Sequence, residues 1–248
     1  MTTKNFKSAS NLNNWVFFCL ILGLGFSAQG FGAEPEIQPK PVVQHSQYQV
    51  KNFDGLLGKV KGLDDALLKM HFKLYEGYVN NTNLILQKIQ ELTRTGQNKT
   101  PEFAALKRLL GWEFDGMLLH EYYFENLGGA TANLDAKDPL MLKMQQDFGS
   151  YDQWKTDFVS TGLMRGIGWV VSYVEPKNGR LLNEWINEHD LGHLAGAKPI
   201  LIMDVFEHAY ITQFGLDRSK YIDVFFNNIN WEVVSNRFKK KNETSEKS

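Results

Sequence analysis

The chain is organised around one apolar, strand-like run that ends in a carboxylate. Residues 200–203 are Ile, Leu, Ile and Met, Asp204 follows them, and His208 comes four residues later. Rigid folds often present functional groups in the loops that follow their strands. Imidazole nitrogens and carboxylate oxygens are both metal ligands. The stretch therefore predicts a binding site at a strand end, although the start of a helix with an Asp in its first turn is the alternative.

Length and composition describe an ordinary globular protein. The 248 residues allow one large domain or two small ones. Hydrophobic residues make up 43% of the chain and charged residues 22%, which is typical of a chain that buries a core. The formal net charge of −1 gives no reason to expect a nucleic-acid partner.

The N-terminal residues 1–33 have the layout of a secretory signal peptide. Two lysines precede an apolar run from Trp15 to Phe26, which is too short to span a bilayer comfortably, and small residues follow. Cleavage after Gly30 or after Ala33 is compatible with these small residues. We therefore expect export, to the periplasm or out of the cell, with no stable membrane span after processing. An uncleaved anchor is the alternative.

The only cysteine, Cys19, lies inside that apolar run. The processed chain would therefore contain neither a disulfide nor a thiolate. Any metal ion would have to be held by nitrogen and oxygen ligands.

The first half of the processed chain predicts two long helices. Residues 34–62 are expected to form an extended arm, since residues 34–50 contain three prolines. Within the predicted hairpin domain, residues 63–128, Asp64 is a candidate N-cap and apolar residues recur at helical spacing to about residue 92. A second helix should begin at Pro101 and run to about residue 127. A short polar connection makes the pair an antiparallel hairpin.

The second half, residues 139–238, is predicted to be an α/β domain. Asn178-Gly179 is a strong hairpin signal between two strand-like segments. The predicted elements are a helical region at 140–163 interrupted near 149–150, strands at 168–174, 180–186 and 199–205, and a closing helix at 221–237. The expected fold class is thus α+β, with an N-terminal helical hairpin and a C-terminal α/β domain around a three-stranded antiparallel sheet. Residues 239–248 are expected to be a charged, disordered tail.

Histidines recur where these elements are expected to converge. His71 and Tyr78 are seven residues apart, about two helical turns, and so share one face of the first helix. His120 lies in an apolar, aromatic stretch of the second helix. Each alone is more simply explained as a core histidine. Together with Asp204 and His208, however, they offer three imidazoles and one carboxylate, a set that would leave a fifth position open on Fe or Mn.

Several motifs in the right order resemble the iron/manganese superoxide dismutase family over roughly residues 53–237. The segment from Asp204 to Tyr210 resembles the family motif Asp-Val-Trp-Glu-His-Ala-Tyr. The other matching features are Tyr78-Val79-Asn80-Asn81, His120 with Tyr123 and Phe124, Gly168-Trp169, and Arg218 with Tyr221 and Asn230-Trp231.

The resemblance implies superoxide as substrate and one Fe or Mn ion per subunit, with four ligands: His71, His120, Asp204 and His208. It implies that Tyr78 is the gateway tyrosine beside the open position. It also implies that Trp169 lines the site and that Arg218 helps to draw in the anion. Glu207 would bridge to a metal-binding histidine of the partner subunit in a homodimer.

The first helix departs from the family pattern. In typical members the ligand histidine and the gateway tyrosine are eight residues apart, not seven, and a π-bulge can absorb the extra residue. We therefore expect a regular helix here, with His71 rather than Met70 as the ligand. The family's second histidine on this helix is replaced by Leu74 or Tyr75, and Ile211 replaces the tyrosine that meets it across the dimer. A cross-dimer hydrogen bond is therefore expected to be missing.

The surroundings of the metal also depart from the pattern. Phe206 replaces the motif tryptophan and so lacks its N–H donor. Gly116 occupies the position from which many iron enzymes supply an outer-sphere glutamine. His189-Asp190 resembles the Gln-Asp pair that other members use instead, while His193 is a rival and a loop histidine bound to water is the alternative. We expect His189 and Tyr78 to relay protons and to tune the metal potential.

The leading hypothesis is that the chain converts superoxide to oxygen and hydrogen peroxide. One alternative is a metal-binding envelope protein of the same fold with weak or altered activity, which the changes at Tyr75, Phe206 and Ile211 motivate. Another is a different non-haem iron enzyme that uses two histidines and one carboxylate. The sequence does not distinguish Fe from Mn.

Overall fold

The structure is a computed structural model that describes residues 46–129 and 134–240. The predicted signal peptide, residues 34–45 of the predicted arm and the tail beyond residue 240 lie outside the described residues. Within the described ranges, no helix combines the length and the apolar character that crossing a membrane requires.

Two long helices form the predicted hairpin. Helix α1 spans Asp65–Arg94 and helix α2 spans Pro101–Glu125, and the two pack against each other. Asp64 occupies the N-cap position of α1, but its side chain makes no capping hydrogen bond. Thr100 does cap α2, since its hydroxyl oxygen accepts a hydrogen bond from the backbone N–H of Phe103 at 3.2 Å.

The predicted interruption near residue 149 separates two shorter helices. Helix α3 spans Pro139–Phe148 and helix α4 spans Tyr151–Gly162. Gly149 ends α3 with a φ of 90°, a conformation that favours glycine, and Ser150 caps α4 through its hydroxyl.

The sheet has three antiparallel strands, as predicted, and their order is β2-β1-β3. Strand β1 spans Gly168–Val174, β2 spans Leu181–Asn187 and β3 spans Lys198–Asp204. The central strand β1 is buried along almost its whole length, which explains its mostly apolar sequence. The register pairs Trp169 of β1 with Asp204 of β3, and so places an indole beside the carboxylate at the strand end.

The closing segment corrects one prediction. Instead of one helix over 221–237, a short helix α5 at Ile211–Phe214 is followed by α6 at Arg218–Asn227 and α7 at Trp231–Lys239. Side-chain hydrogen bonds explain the break between α6 and α7. The amide of Asn228 exchanges two 2.7 Å hydrogen bonds with the backbone of Lys61, and Asn230 caps α7 by accepting from the N–H of Val233.

One hydrophobic core joins the helical hairpin to the sheet and its helices. The α+β fold class is therefore confirmed. The domain boundaries predicted at 63–128 and 139–238 remain a prediction from the sequence.

Candidate metal centre

Four side chains from four separate elements meet inside the fold. His71 comes from α1, His120 from α2, Asp204 from the end of β3, and His208 from a single 3-10 turn at Glu207–Ala209. One ligand atom from each lies within 4.8 Å of all the others. Asp204 Oδ2 lies 3.1 Å from Nε2 of His71, 3.1 Å from Nε2 of His208 and 3.7 Å from Nε2 of His120. The structure thus brings together the four predicted metal ligands.

The regular geometry of α1 favours His71 over Met70 as the metal ligand. The helix is α-helical from Asp65 to Arg94 without a π-bulge, as the seven-residue spacing from His71 to Tyr78 predicts. His71 is 2% exposed and faces the cluster, whereas Met70 is 45% exposed.

The donor atoms fit a first-row transition metal. His120 Nδ1 lies 2.6 Å from the carbonyl oxygen of Gly116, which only accepts hydrogen bonds, so Nδ1 carries the hydrogen. His120 Nε2 therefore presents a lone pair to the cluster, and this buried atom has no hydrogen-bond partner among the described residues. A buried polar atom without a partner is costly. A metal ion would satisfy it, and three nitrogens with one oxygen suit Fe or Mn.

Burial and mutual contact hold His71, His120 and Asp204 in the protonation states that a metal requires. Burial lowers the pKa of His71 and lowers that of His120 well below its ordinary value, so both imidazoles are neutral. Burial by itself raises the pKa of Asp204, but His208 and His71 outweigh it and hold that pKa well below its usual range. Asp204 Oδ1 also accepts a 2.8 Å hydrogen bond from the N–H of Phe206. The carboxylate is therefore ionised and fixed in orientation.

His189 occupies the second layer, and its tautomer follows from its partners. The indole N–H of Trp169 donates to His189 Nδ1 at 3.1 Å. Because an indole nitrogen only donates, His189 Nδ1 must accept, and the hydrogen of the neutral ring is on Nε2. Nε2 then donates to Tyr78 Oη at 2.7 Å. Burial lowers the pKa of His189 to about 4, so the ring is neutral near pH 7.

The two candidate outer-sphere histidines have different places. His189 is fully buried and its ring centroid lies 5.9 Å from that of His120. His193 lies behind it, with Nε2 2.8 Å from the carbonyl oxygen of His189 and Nδ1 2.8 Å from Tyr173 Oη. His189, not His193, therefore reaches Tyr78.

Aromatic rings enclose the cluster. Tyr78 stacks on His120 with centroids 5.0 Å apart, and Phe206 stacks on both His189 and His208 at 4.7 and 5.1 Å. Trp169 is fully buried and makes a T-shaped contact with His120. The aromatic wall expected from Phe206 is thus present.

Sequence reasoning missed Trp112, whose ring lies 4.6 Å from that of His189 in an edge-on contact. The signal was available, because residues 112, 116 and 120 follow the i, i+4, i+8 spacing of one helix face. Gly116, between the two large rings, leaves space for Tyr78. A Cβ added there would lie 2.7 Å from Tyr78 Cδ1.

Four other residues singled out in the sequence do not contribute a ligand atom to the cluster. Glu207 is exposed beside His208. Tyr75 is buried in the hairpin, where its hydroxyl donates to Glu121 at 2.9 Å, while Leu74 is 36% exposed. Arg218 donates to Tyr210 Oη and to the carbonyl oxygens of residues 162, 164 and 166. Within the described residues, the hydrogen bonds of Arg218 therefore hold the segment 162–166, and none of them goes to the four predicted ligands.

Comparisons with known proteins agree with this geometry. The family model for iron/manganese superoxide dismutases, C-terminal domain, matches residues 136–237. An iron superoxide dismutase of Cupriavidus metallidurans is 34% identical over 197 residues, which cover 77% of this chain and 96% of that protein. One of Aquifex pyrophilus is 31% identical, covering 73% and 86% respectively. A manganese superoxide dismutase of Halobacterium salinarum is 29% identical, covering 71% and 86%.

An α+β fold that directs three imidazoles and one carboxylate into an aromatic shell defines a mononuclear transition-metal protein. The comparisons narrow that class. The chain belongs to the iron/manganese superoxide dismutase family.

Proposed function

We propose that this protein is a superoxide dismutase, which converts superoxide to oxygen and hydrogen peroxide at a single Fe or Mn ion. The observation that carries the proposal is the convergence of four ligand atoms, one of which, Nε2 of His120, has no hydrogen-bond partner among the residues that the structure describes. Relatives named as iron enzymes and as manganese enzymes support either metal.

The residues assigned to hold the ion are His71, His120 and His208, each through Nε2, and Asp204 through Oδ2. When bound, the metal supplies alternate one-electron oxidation and reduction. Asp204 contributes the one negative charge of this ligand set and so offsets part of the charge of the cation. The enclosing rings of Tyr78, Trp169 and Phe206 limit access to small molecules.

We assign Tyr78 the role of proton donor at the site. Peroxide carries two protons that superoxide lacks, so the reaction consumes protons. Because His189 donates to Tyr78 Oη, the hydroxyl hydrogen of Tyr78 is free to point towards an anion. Burial raises the pKa of Tyr78 well above its ordinary value, so the phenol keeps its hydrogen near neutral pH.

The hydrogen bonds of His189 support a narrower role for this residue than the expected proton relay. A relay histidine takes up a proton on one ring nitrogen and releases one from the other. Here Nδ1 of His189 faces the indole N–H of Trp169, which has no proton to exchange near neutral pH. We therefore assign His189 to orient Tyr78 and Trp169 to fix the tautomer of His189.

Homodimer formation and export are further parts of the proposal. The exposed carboxylate of Glu207, next to His208, is available to reach a partner subunit. The basic, apolar and small-residue regions of residues 1–33 support export to the periplasm or the exterior. Light scattering of the processed protein and fractionation of the native cells are the respective tests.

The decisive experiment measures the rate of superoxide consumption per bound metal, with the purified protein loaded separately with Fe and with Mn. A dismutase turns over rapidly at full occupancy with at least one metal. A slow rate at full occupancy with both metals would instead support the metal-binding envelope protein.

A further inference from the structure

The loop between β2 and β3 carries His189 on a strained turn. Glu188, the residue before it, has a φ of 57° and is the only non-glycine residue with positive φ in the described ranges. The N–H of Asn187 donates to the carbonyl oxygen of Leu191 at 2.8 Å and closes the turn. A non-glycine residue in this left-handed conformation costs about 1 kcal/mol or more, so the surroundings must hold the turn in place.

His193 supplies that hold through a hydrogen bond of fixed direction. The carbonyl oxygen of His189 lies 2.8 Å from His193 Nε2, and because a carbonyl only accepts, Nε2 carries the hydrogen. In the neutral ring, His193 Nδ1 then accepts from Tyr173 Oη at 2.8 Å. Tyr173 is 2% exposed on the central strand β1. The backbone of His189 is thus tied through His193 to the most buried strand of the sheet.

The acidic groups around His193 favour the same arrangement. Asp115 Oδ2, from α2, lies 3.7 Å from His193 Nε2, on the side of the ring that donates to His189. Burial raises the pKa of Asp115, His193 opposes that rise and stabilises the carboxylate, and the neighbouring Asp190 adds to the rise. Negative charge on this side of the ring stabilises an N–H that points towards it.

We propose that His193 is a positioning residue, which holds the backbone of His189 so that the His189 ring meets Trp169 Nε1 and Tyr78 Oη together. The proposal rests on the proposed function, in which His189 orients Tyr78. His193 itself does not reach the four ligands. Its effect on the reaction passes through His189, and it therefore changes how the site receives a small anion.

The test compares His193→Gln with His193→Asn in the metal-loaded enzyme. The longer glutamine amide can place its nitrogen where His193 Nε2 lies, whereas the shorter asparagine amide reaches only the position of Nδ1. Two quantities are measured: kcat/KM for superoxide, and the Kd of azide from an optical titration of the oxidised metal. We expect both quantities in His193→Gln to stay within about twofold of wild type. In His193→Asn we expect kcat/KM to fall and the azide Kd to rise, each by about tenfold, which is the lower end for a lost outer-shell partner.

Leu194→Ala is the matched control, because it removes apolar packing from the same loop without touching the hydrogen bonds of His189. It should lower the thermal midpoint and leave the azide Kd unchanged. Equal azide affinities in His193→Gln and His193→Asn would overturn the proposal. So would a loss of azide affinity in Leu194→Ala as large as that in His193→Asn.

Two further variants cover the remaining outcomes. If His193→Asn does not fold, Tyr173→Phe removes the hydroxyl that orients His193 and should weaken azide binding about threefold, within the range for one neutral hydrogen bond. An unchanged Kd there overturns the proposal. His189→Ala separates this idea from the proposed function. If His189→Ala loses activity but His193→Asn does not, only the positioning role fails, whereas an unaffected His189→Ala means that the role assigned to His189 fails.

Discussion

Gly116 and Tyr78 are in direct contact across the helical hairpin. A Cβ built on Gly116 would lie 2.7 Å from Cδ1 and 2.9 Å from Cε1 of Tyr78, closer than side-chain atoms pack. The missing side chain on α2 is therefore what allows the phenol to stack on His120 and to reach His189.

Replacing Gly116 by alanine should displace Tyr78 and break its hydrogen bond to His189. Overpacking destabilises a protein by about 1–3 kcal/mol, and the higher helix propensity of alanine offsets up to about 1 kcal/mol of this. We therefore expect the free energy of unfolding to fall by about 1 kcal/mol. Activity should fall with it. Gly111→Ala on the same helix is the control, since its Cβ would lie at an ordinary 3.6 Å from Asp190 Oδ2. Urea denaturation and activity assays check both, and equal behaviour of the two variants would contradict the packing argument.

Removing the metal should destabilise the fold, because the ion satisfies His120 Nε2 and binds only the assembled cluster. A site occupied at 100 times its Kd contributes about 2.7 kcal/mol. Adding a chelator should therefore lower the thermal midpoint of the loaded protein. The midpoint of Asp204→Asn, which lacks the charged ligand oxygen, should change little on chelation. A wild-type midpoint that is insensitive to chelation would argue against a metal at this cluster.

Acid should destabilise the metal-free protein through its buried histidines. Burial lowers the pKa of His189 from 6.5 to about 4, so between these pH values the unfolded chain binds a proton that the folded chain does not. Stability is therefore full above about pH 6.5 and falls as pH drops towards 4, by on the order of 3 kcal/mol for this group. Urea unfolding across this range measures the slope. In His189→Gln the free energy of unfolding should depend less steeply on pH, by an amount that corresponds to at most one bound proton. An unchanged slope would mean that His189 titrates normally in the folded protein.

Arg218→Lys separates loop clamping from attraction of the substrate. The guanidinium donates to carbonyl oxygens of residues 162, 164 and 166, a geometry that lysine cannot reproduce, while lysine keeps the charge. We expect a loss of stability of about 1–3 kcal/mol, because hydrogen bonds from charged groups are lost. The ionic-strength dependence of kcat/KM should stay the same. A large change in that dependence without a loss of stability would support the anion-steering role implied by the family resemblance.

Local patterns in the sequence were sufficient for much of the site. The seven-residue spacing of His71 and Tyr78 predicted a regular helix with both side chains on one face, and α1 is regular. The motif from Asp204 to His208 predicted ligands at a strand end, where β3 and the following 3-10 turn place them. These predictions were possible because spacing within one element depends on the geometry of that element alone.

Other features depended on contacts between distant parts of the chain. The closing helix breaks because Asn228 pairs with the backbone of Lys61, which is 167 residues away. Arg218 points into a loop and not towards the ligands, for a similar reason. Trp112 joins the site only because α2 packs beside the loop that carries His189. None of these contacts has a signature in a short window of sequence.

The sequence by itself determined the fold class, the family and which four residues are the proposed metal ligands, because each follows from the type and local spacing of residues. The tertiary structure decided which of two loop histidines faces Tyr78, which nitrogen of His189 carries the hydrogen, and why Gly116 is a glycine. The physical reason is that a hydrogen-bond direction, or the space for a ring, exists only between surfaces that folding brings together.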